Sequence, residues 1–411
     1  MNLLCIAVDH LHAGYLGCYG NTWIATPAFD QLAASGFVFD QATVDTLDLS
    51  AAYDSWWRAT HVIERHSKDS QGLALAGLAR QAGMRTLLAA DDPLVLEHAA
   101  GVDFDEIVEC LPTPSGDEAA DDVTQTHTAR LFAEAGDRLL DLPRPFAMWL
   151  HVGALGGSWD APLSFRERYL GEDDPPVPTF TTLPERIAPP EIDLDERFGY
   201  SQAYAGQVTL LDTCLGALLE QLEETNLAAD TIVVVCGLRG LSLGEHGRVG
   251  RTDRRLYAEN THVPWLVRMP DRRGALRRSQ ALVQPSDLLP TVAEWLNHPL
   301  EAAPHWGRSL AKHAAGDAEK IRDRAIAVGA GEFAIRTTRW LLRGADCKAD
   351  AEPTLTELFA KPDDFWEVSD VADRCPEVVE ALQESYTATH AALAEGRDPP
   401  PLPAADEMLE A

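Results

Sequence analysis

The sequence predicts an α/β protein: a large, mixed and mostly parallel sheet between helices, followed by a small C-terminal α+β domain. Three observations predict it. Apolar runs end repeatedly in an acidic loop, as residues 3–8 do at Asp9 and residues 84–90 do at Asp91-Asp92. Helix-length segments closed by glycine alternate with those runs, the rhythm of βαβ units. After about residue 315 the pattern changes to short, closely spaced strands followed by a helix, which reads as an antiparallel appendage.

Taken in order, the strand at 3–8 stops at Asp9-His10, and a glycine-punctuated turn over 14–20 follows. A short apolar strand ending in a carboxylate is the C-terminal edge of a parallel sheet, where open α/β proteins place ligands. Segment 26–36 fits a helix with Pro27 in its first turn and Gly36 near its end. A strand at 36–39, a loop running into a helix over 42–57, a helix at 70–83 and a strand at 84–90 continue the alternation. Residues 111–125 read as loop, 122–141 as a long helix and 146–152 as a strand. An excursion rich in Gly, Pro and acid occupies 153–195, and the helix at 199–225 carries an apolar face from Tyr204, Val208, Leu211 and Leu215. The strand at 231–236 opens into the loop 237–247, then come a strand at 263–268 and a helix at 286–297 with Ser286 as cap. Strands at 325–328, 333–336 and 340–343 and a helix at 376–394 complete the chain. The expected organisation is a main domain over 1–315, a small domain over 316–394 and a flexible tail over 395–411.

Composition narrows the function classes. The 411 residues carry 65 acidic against 34 basic side chains, a net charge of −31 that opposes binding to a phosphate backbone. No nucleic-acid partner is expected. Seven scattered cysteines without a CxxC pair indicate neither a zinc knuckle nor a disulfide framework. The N-terminus enters the first strand without a basic region or cleavage site, and no run of 18 apolar residues follows. The expectation is a cytoplasmic protein that does not engage a membrane.

Particular residues carry a family resemblance. The stretch 2–9, Gly17-Cys18-Tyr19-Gly20, Thr26-Pro27-Ala28-Phe29-Asp30-Gln31-Leu32-Ala33 and Gly36-Phe37-Val38-Phe39 together resemble the N-terminal signature of type I sulfatases, in the alkaline phosphatase-like superfamily. Leu243-Gly244-Glu245-His246-Gly247, Leu256-Tyr257-Ala258-Glu259 and Val263-Pro264 resemble that family's second signature region. Ser286-Asp287-Leu288-Leu289-Pro290-Thr291 and Gly307-Arg308-Ser309-Leu310 fall where its later motifs would, so the resemblance spans about residues 2–380. It implies a nucleophile attacking sulfur, a carboxylate-bound divalent metal (usually calcium), and Lys, Arg and His around the anionic transition state.

The chain departs from that pattern where the chemistry would be. Asp9 is followed by His10 instead of a second aspartate. In the stretch 47–53, which matches the family's Cys/Ser-x-Pro-x-Arg motif, Leu49 falls on the nucleophile, Ala51 on the proline and Tyr53 on the arginine. Leu238-Arg239-Gly240 replaces the second metal-binding pair, and Gly156-Gly157-Ser158-Trp159 lacks the expected histidine. Leucine has no nucleophilic atom, and one surviving carboxylate does not hold calcium, which takes six or more oxygens.

The resulting expectation is a sulfatase-like protein, a sulfuric ester hydrolase by resemblance, whose catalysis is lost and whose old pocket binds a small anionic ligand or a protein partner. No cofactor is expected. The alternatives are a rewired sulfatase or phosphatase-type hydrolase, which needs calcium or another divalent cation, and a non-catalytic oligomeric structural protein; a homo-oligomer fits any of these. Substitute nucleophiles or acid–base groups are Ser50, Asp48 and His246. Asp9 is the remnant metal ligand, with His10 and Glu245 as further candidates, and Arg239, Arg251, Trp159 and His12 are the candidate ligand contacts. Each also has a plain structural reading, as a solvated charge, a packed ring or a hydrogen-bonded core group.

Overall fold

The computed structural model describes residues 1–64, 73–112, 118–182, 184–187, 193–252, 254–314, 320–346 and 356–402. Its elements begin with β1 (Asn2–Val8), α1 (Pro27–Ser35), β2 (Phe37–Ala42), α2 (Leu49–Arg58), α3 (Leu75–Gln81), β3 (Arg85–Ala90), α4 (Pro93–Leu96), β4 (Glu106–Glu109), α5 (His127–Asp141) and β5 (Phe146–Val152). They continue through α6 (Leu163–Glu167), β6 (Arg186–Ile187), α7 (Leu194–Glu224), β7 (Thr231–Gly237), β8 (Ser242–Leu243), β9 (Arg248–Gly250), α8 (Ala258–Thr261), β10 (Trp265–Arg268) and β11 (Arg277–Val283). The chain closes with α9 (Leu288–Trp295), α10 (Ala311–Ala314), β12 (Ala325–Gly329), β13 (Glu332–Arg336), β14 (Trp340–Ala345), β15 (Glu357–Ala360) and α11 (Pro376–Ala394).

The main sheet has eight strands in the order β11-β2-β10-β7-β1-β5-β3-β4. β10 alone runs antiparallel to both of its neighbours; every other pairing is parallel. β1 lies in the middle, Leu3 to Val8 paired on one side with Ala147 to Val152 and on the other with Ile232 to Gly237. Because alternate side chains of a strand leave by opposite faces, a strand covered on both must be apolar throughout. Leu4, Ile6 and Val8 enter the core under α1, α5 and α7, whereas Leu3, Cys5 and Ala7 enter the core under α2, α3 and α9. That arrangement leaves the C-terminal end of β1, and with it Asp9, as the place where the strand edge meets solvent.

α7, of 31 residues, covers one face, and its buried Asp212 accepts the N–H groups of Ala28 and Phe29 at the start of α1. This carboxylate supplies acceptors to a helix terminus that lacks its own. The small sheet, β12-β13-β14-β15, is antiparallel and lays Phe333, Ile335, Leu342 and Leu358 against Val378, Leu382, Tyr386 and Leu393 of α11.

The mixed main sheet and the small antiparallel sheet agree with expectation; several element limits do not. The helix expected over 199–225 starts earlier, at Leu194, and the one expected over 122–141 starts at His127, after Thr126 has capped it through the Ala129 N–H. Ser286 does not cap α9: Gln284 and Asp287 form a capping box around the short turn before it. β4, β11 and β15 were not anticipated; β4 and β11 are the two edges of the main sheet and β15 is an edge of the small one. The proposed boundary at 315/316 and the end of the tail, 403–411, lie outside the described residues, as does the start of the helix expected at 70–83.

Candidate functional site

The site grows from the end of β1. Asp9 is 3% exposed, and Arg239, two residues beyond β7, meets it side-on: Nε donates to Oδ1 at 2.8 Å and Nη2 to Oδ2 at 2.9 Å. The third arm of the guanidinium donates from Nη1 to the Leu47 carbonyl at 2.9 Å. Such a two-pronged pair is the strongest geometry available to arginine and carboxylate. Burial by itself would raise the Asp9 pKa, but the charge and hydrogen bonds of Arg239 outweigh it and hold the carboxyl well below the usual aspartate range. Both carboxylate oxygens are therefore engaged by a fixed cation.

His10 sits in the left-handed region (φ 58°) and donates from Nδ1 to the Gly240 carbonyl at 2.9 Å. Burial lowers its pKa. Its ring lies where a Cβ on Gly156 would stand, 2.2 Å from Cδ2, so the glycine is needed for close approach. Arg251 donates from Nη1 to the Gly156 carbonyl at 3.1 Å and pairs with Glu185 at 3.0 Å.

Around these groups lies a cleft of about 570 Å³. Six carboxylates (Asp9, Asp91, Asp92, Glu118, Asp121 and Asp160) line it, against Arg130, Arg239 and Arg251 among the described residues. Asp91, at the end of β3, is 6% exposed; its Oδ1 accepts the Gly153 N–H at 2.8 Å and its Oδ2 the Nε2 of His127 at 3.1 Å. His127 is the first residue of α5, and its backbone N–H is taken by Asp160 Oδ2 at 2.8 Å. Behind Asp91, fully buried His151 brings Nε2 to 3.8 Å from Oδ1, while its Nδ1 meets the Tyr53 hydroxyl at 2.7 Å. Tyr53 accepts from Trp149 Nε1 at 3.2 Å, and burial raises its pKa far above that of an ordinary tyrosine.

The other expected residues do not converge here. Leu49 is 3% exposed and packs in the core under the sheet. Asp48 caps α2, its Oδ1 accepting the Ala51 N–H at 2.8 Å, and Ser50 does not line the cleft. His12 accepts the Gly14 N–H on Nδ1 at 2.9 Å and is buried beside Tyr15. Trp159 is fully buried, donates to the Leu155 carbonyl at 2.9 Å and packs on Tyr204 and Phe180. Glu245 folds back on the Leu243 N–H at 2.6 Å. His246 lies between Glu259 (Nδ1 to Oε1, 2.9 Å) and the Glu367 carbonyl (Nε2, 3.1 Å), stacked on Tyr257 with ring centroids 3.6 Å apart. No group of three or more His, Cys, Asp or Glu side chains among the described residues is arranged to hold a metal ion.

Sequence reasoning named Asp9, His10, Arg239 and Arg251, which do share the cleft. It missed Asp91, His127 and His151. The available signal was the acidic stop of β3 and the histidine within the apolar run of β5, but nothing local joined them.

The fold and this edge define a protein of the alkaline phosphatase/sulfatase superfamily. Residues 1–298 match the family model described as Sulfatase, and the chain belongs to that family. It is similar to iduronate 2-sulfatase of Homo sapiens, 25% identical over 340 residues that cover 67% of this chain and 61% of the relative. The phosphonate monoester hydrolase of Agrobacterium radiobacter superposes with a TM-score of 0.77 at 17% identity, covering 95% of this chain and 96% of that one. A structure in complex with its substrate D-glucosamine-2-N,6-O-disulfate superposes with a TM-score of 0.70 at 17% identity, covering 97% and 99%. The chain spans 61% and 64% of the lengths of the two iduronate 2-sulfatases it matches. No helix among the described residues is long and apolar enough to cross a membrane. The expectation of a cytoplasmic location is corrected by the same relatives: the iduronate and glycosaminoglycan sulfatases are not cytoplasmic enzymes. That expectation rested on the character of the first residues and on the lack of an 18-residue apolar run, neither of which carries a location.

Proposed function

We propose that this chain is a sulfatase-family protein that no longer hydrolyses sulfate esters and uses the remodelled cleft to hold a ligand or partner. One observation carries the reading: the guanidinium of Arg239 is seated on both oxygens of Asp9. The divalent ion implied by the family would need those oxygens and several more, and a fixed cation at that spot repels it. The residues at this edge do not fit the ion, so no step is routed through one. Buried Leu49 at the nucleophile position supports the same reading. The lining charge also bears on the ligand, since six carboxylates against three arginines disfavour a small anion and favour a neutral polar molecule.

The test is metal analysis of the purified protein together with assays on an aryl sulfate and an aryl phosphate, with and without chelator. No turnover of either ester is expected. A divalent ion bound near one per chain, with turnover that chelator abolishes, would overturn the proposal and restore a metal-dependent hydrolase.

A further inference from the structure

The cleft holds a second device that the family's chemistry does not account for. Asp91 and His127 face each other across 3.1 Å, joined through Oδ2 and Nε2. A carboxylate accepts only, so Nε2 carries the proton and Nδ1 is left with its lone pair. Nδ1 makes no hydrogen bond among the described residues, and the ring lines the cleft with its side chain 15% exposed. Asp91 is itself held, by the Gly153 N–H on Oδ1 and by the packing of His151, which Tyr53 and Trp149 orient from behind. The Nε2 of His151 is buried with no hydrogen-bond partner, 3.8 Å from Asp91 Oδ1 and beside the same cleft wall at Gly153. An imidazole oriented by a buried carboxylate, itself fixed from behind, is the arrangement of a positioned proton acceptor.

We infer that His127 is a metal-independent general base of this cleft, with Asp91 as its positioning residue, acting on an uncharged carboxylic ester. The volume of about 570 Å³ suits a small molecule. The charge balance selects the class: six carboxylates line the cleft against Arg130, Arg239 and Arg251, of which Arg239 is spent on Asp9 and Arg251 on Glu185, so the net negative lining disfavours sulfate and phosphate esters but not a neutral acyl ester. In the step, His127 Nδ1 takes a proton from water while the water oxygen bonds to the acyl carbon. The tetrahedral intermediate then breaks its bond to the alcohol oxygen, which receives that proton from His127, leaving acid and alcohol. No oxidant, reductant or metal enters the balance. The inference concerns different residues from the proposed loss of sulfatase chemistry and stands apart from it.

The experiment uses the full chain, treated with chelator, and p-nitrophenyl acetate as probe. Wild type is expected to exceed His127→Gln in kcat/KM by about 100-fold, the low end for a positioned base. Asp91→Asn should lower kcat with KM unchanged, Asp91→Glu should recover part of the loss, and the solvent deuterium isotope effect on kcat should vanish in His127→Gln. Circular dichroism establishes that each variant is folded, and if Asp91→Asn is not, the His127→Gln comparison decides alone. Equal rates for wild type and His127→Gln, or a wild type that leaves the ester intact, would overturn the inference. Aryl sulfate turnover by the untreated chain, abolished by chelator, would instead overturn the proposed function and leave this one standing.

Discussion

The cleft at the end of β1 and the junction between the main sheet's loops and the small sheet are both rich in charge, but they balance it differently. At the junction charges close on one another: His246 on Glu259, Arg343 on Glu332 at 2.8 Å and on Glu357, and Lys361 on Glu367 at 2.8 Å. Tyr257 lies among them, with the Arg343 guanidinium 3.5 Å from its ring centroid and its hydroxyl on Glu357 at 3.0 Å. In the cleft Asp9 closes on Arg239, Arg251 on Glu185 and Asp91 on His127, but the lining still carries six carboxylates against three arginines among the described residues, and the Nδ1 of His127 faces it. The loop 243–247 and the segment 256–259, which resemble a family signature, pack here against the residues around the small sheet. Resemblance of a motif reports a shared backbone path; the charges packed around it decide whether it works on a ligand or holds the fold.

The largest expected effect breaks the closed pair in the cleft. Arg239→Leu leaves Asp9 buried and unpaired and should cost about 3–5 kcal/mol in urea unfolding. The double variant Asp9→Asn, Arg239→Leu should recover most of that, because the uncompensated charge is gone. A single-variant loss below about 1 kcal/mol would mean the pair behaves as an exposed one.

Next comes Leu49, which the fold uses as core. Leu49→Ala should cost about 3 kcal/mol by emptying a packed site, and Leu49→Ser should gain no aryl sulfate hydrolysis. Appearance of that activity would show that only the nucleophile was lacking.

The junction responds to pH. Burial pushes the His246 imidazole toward its neutral form, but the hydrogen bond and charge of Glu259, with the Glu367 carbonyl, outweigh it and raise its pKa above the ordinary histidine value. A raised folded pKa contributes stability that is fully present below about pH 6.5, the unfolded value, and is lost as pH rises through the folded one. His246→Gln should therefore cost about 1.5 kcal/mol at pH 6 and less at alkaline pH. A penalty independent of pH would assign the effect to the stack on Tyr257 instead. The smallest effect is that of Ser50→Ala, within about 0.5 kcal/mol and with no change in ligand or ester assays.

The central elements were legible because burial on two faces demands unbroken apolar runs, and β1, β5 and β7 supply them. The edge strands were not. β11 begins Arg-Arg-Ser-Gln and β4 reads Glu-Ile-Val-Glu, with mostly exposed or half-buried positions, since an edge needs only one covered side and is protected by charge. In the site, Asp9 announced itself as the stop of the first strand. Its partner Arg239 lies 230 residues away and His127 lies 36 from Asp91, so neither pairing leaves a local trace.

Residue order alone settled the sheet class and marked Asp9 as the stop of the first strand, because each follows from periodicity or from a side chain's own chemistry. Only the packing of distant segments decided that Arg239 would neutralise Asp9, that Trp159 would be core, that His246 would meet Glu259 and the Glu367 carbonyl, and that His127 would face the cleft with Asp91 behind it. Hydrophobic pattern is a property of neighbours along the chain. Charge pairing is a property of neighbours in space, and those are chosen by how strands and helices stack.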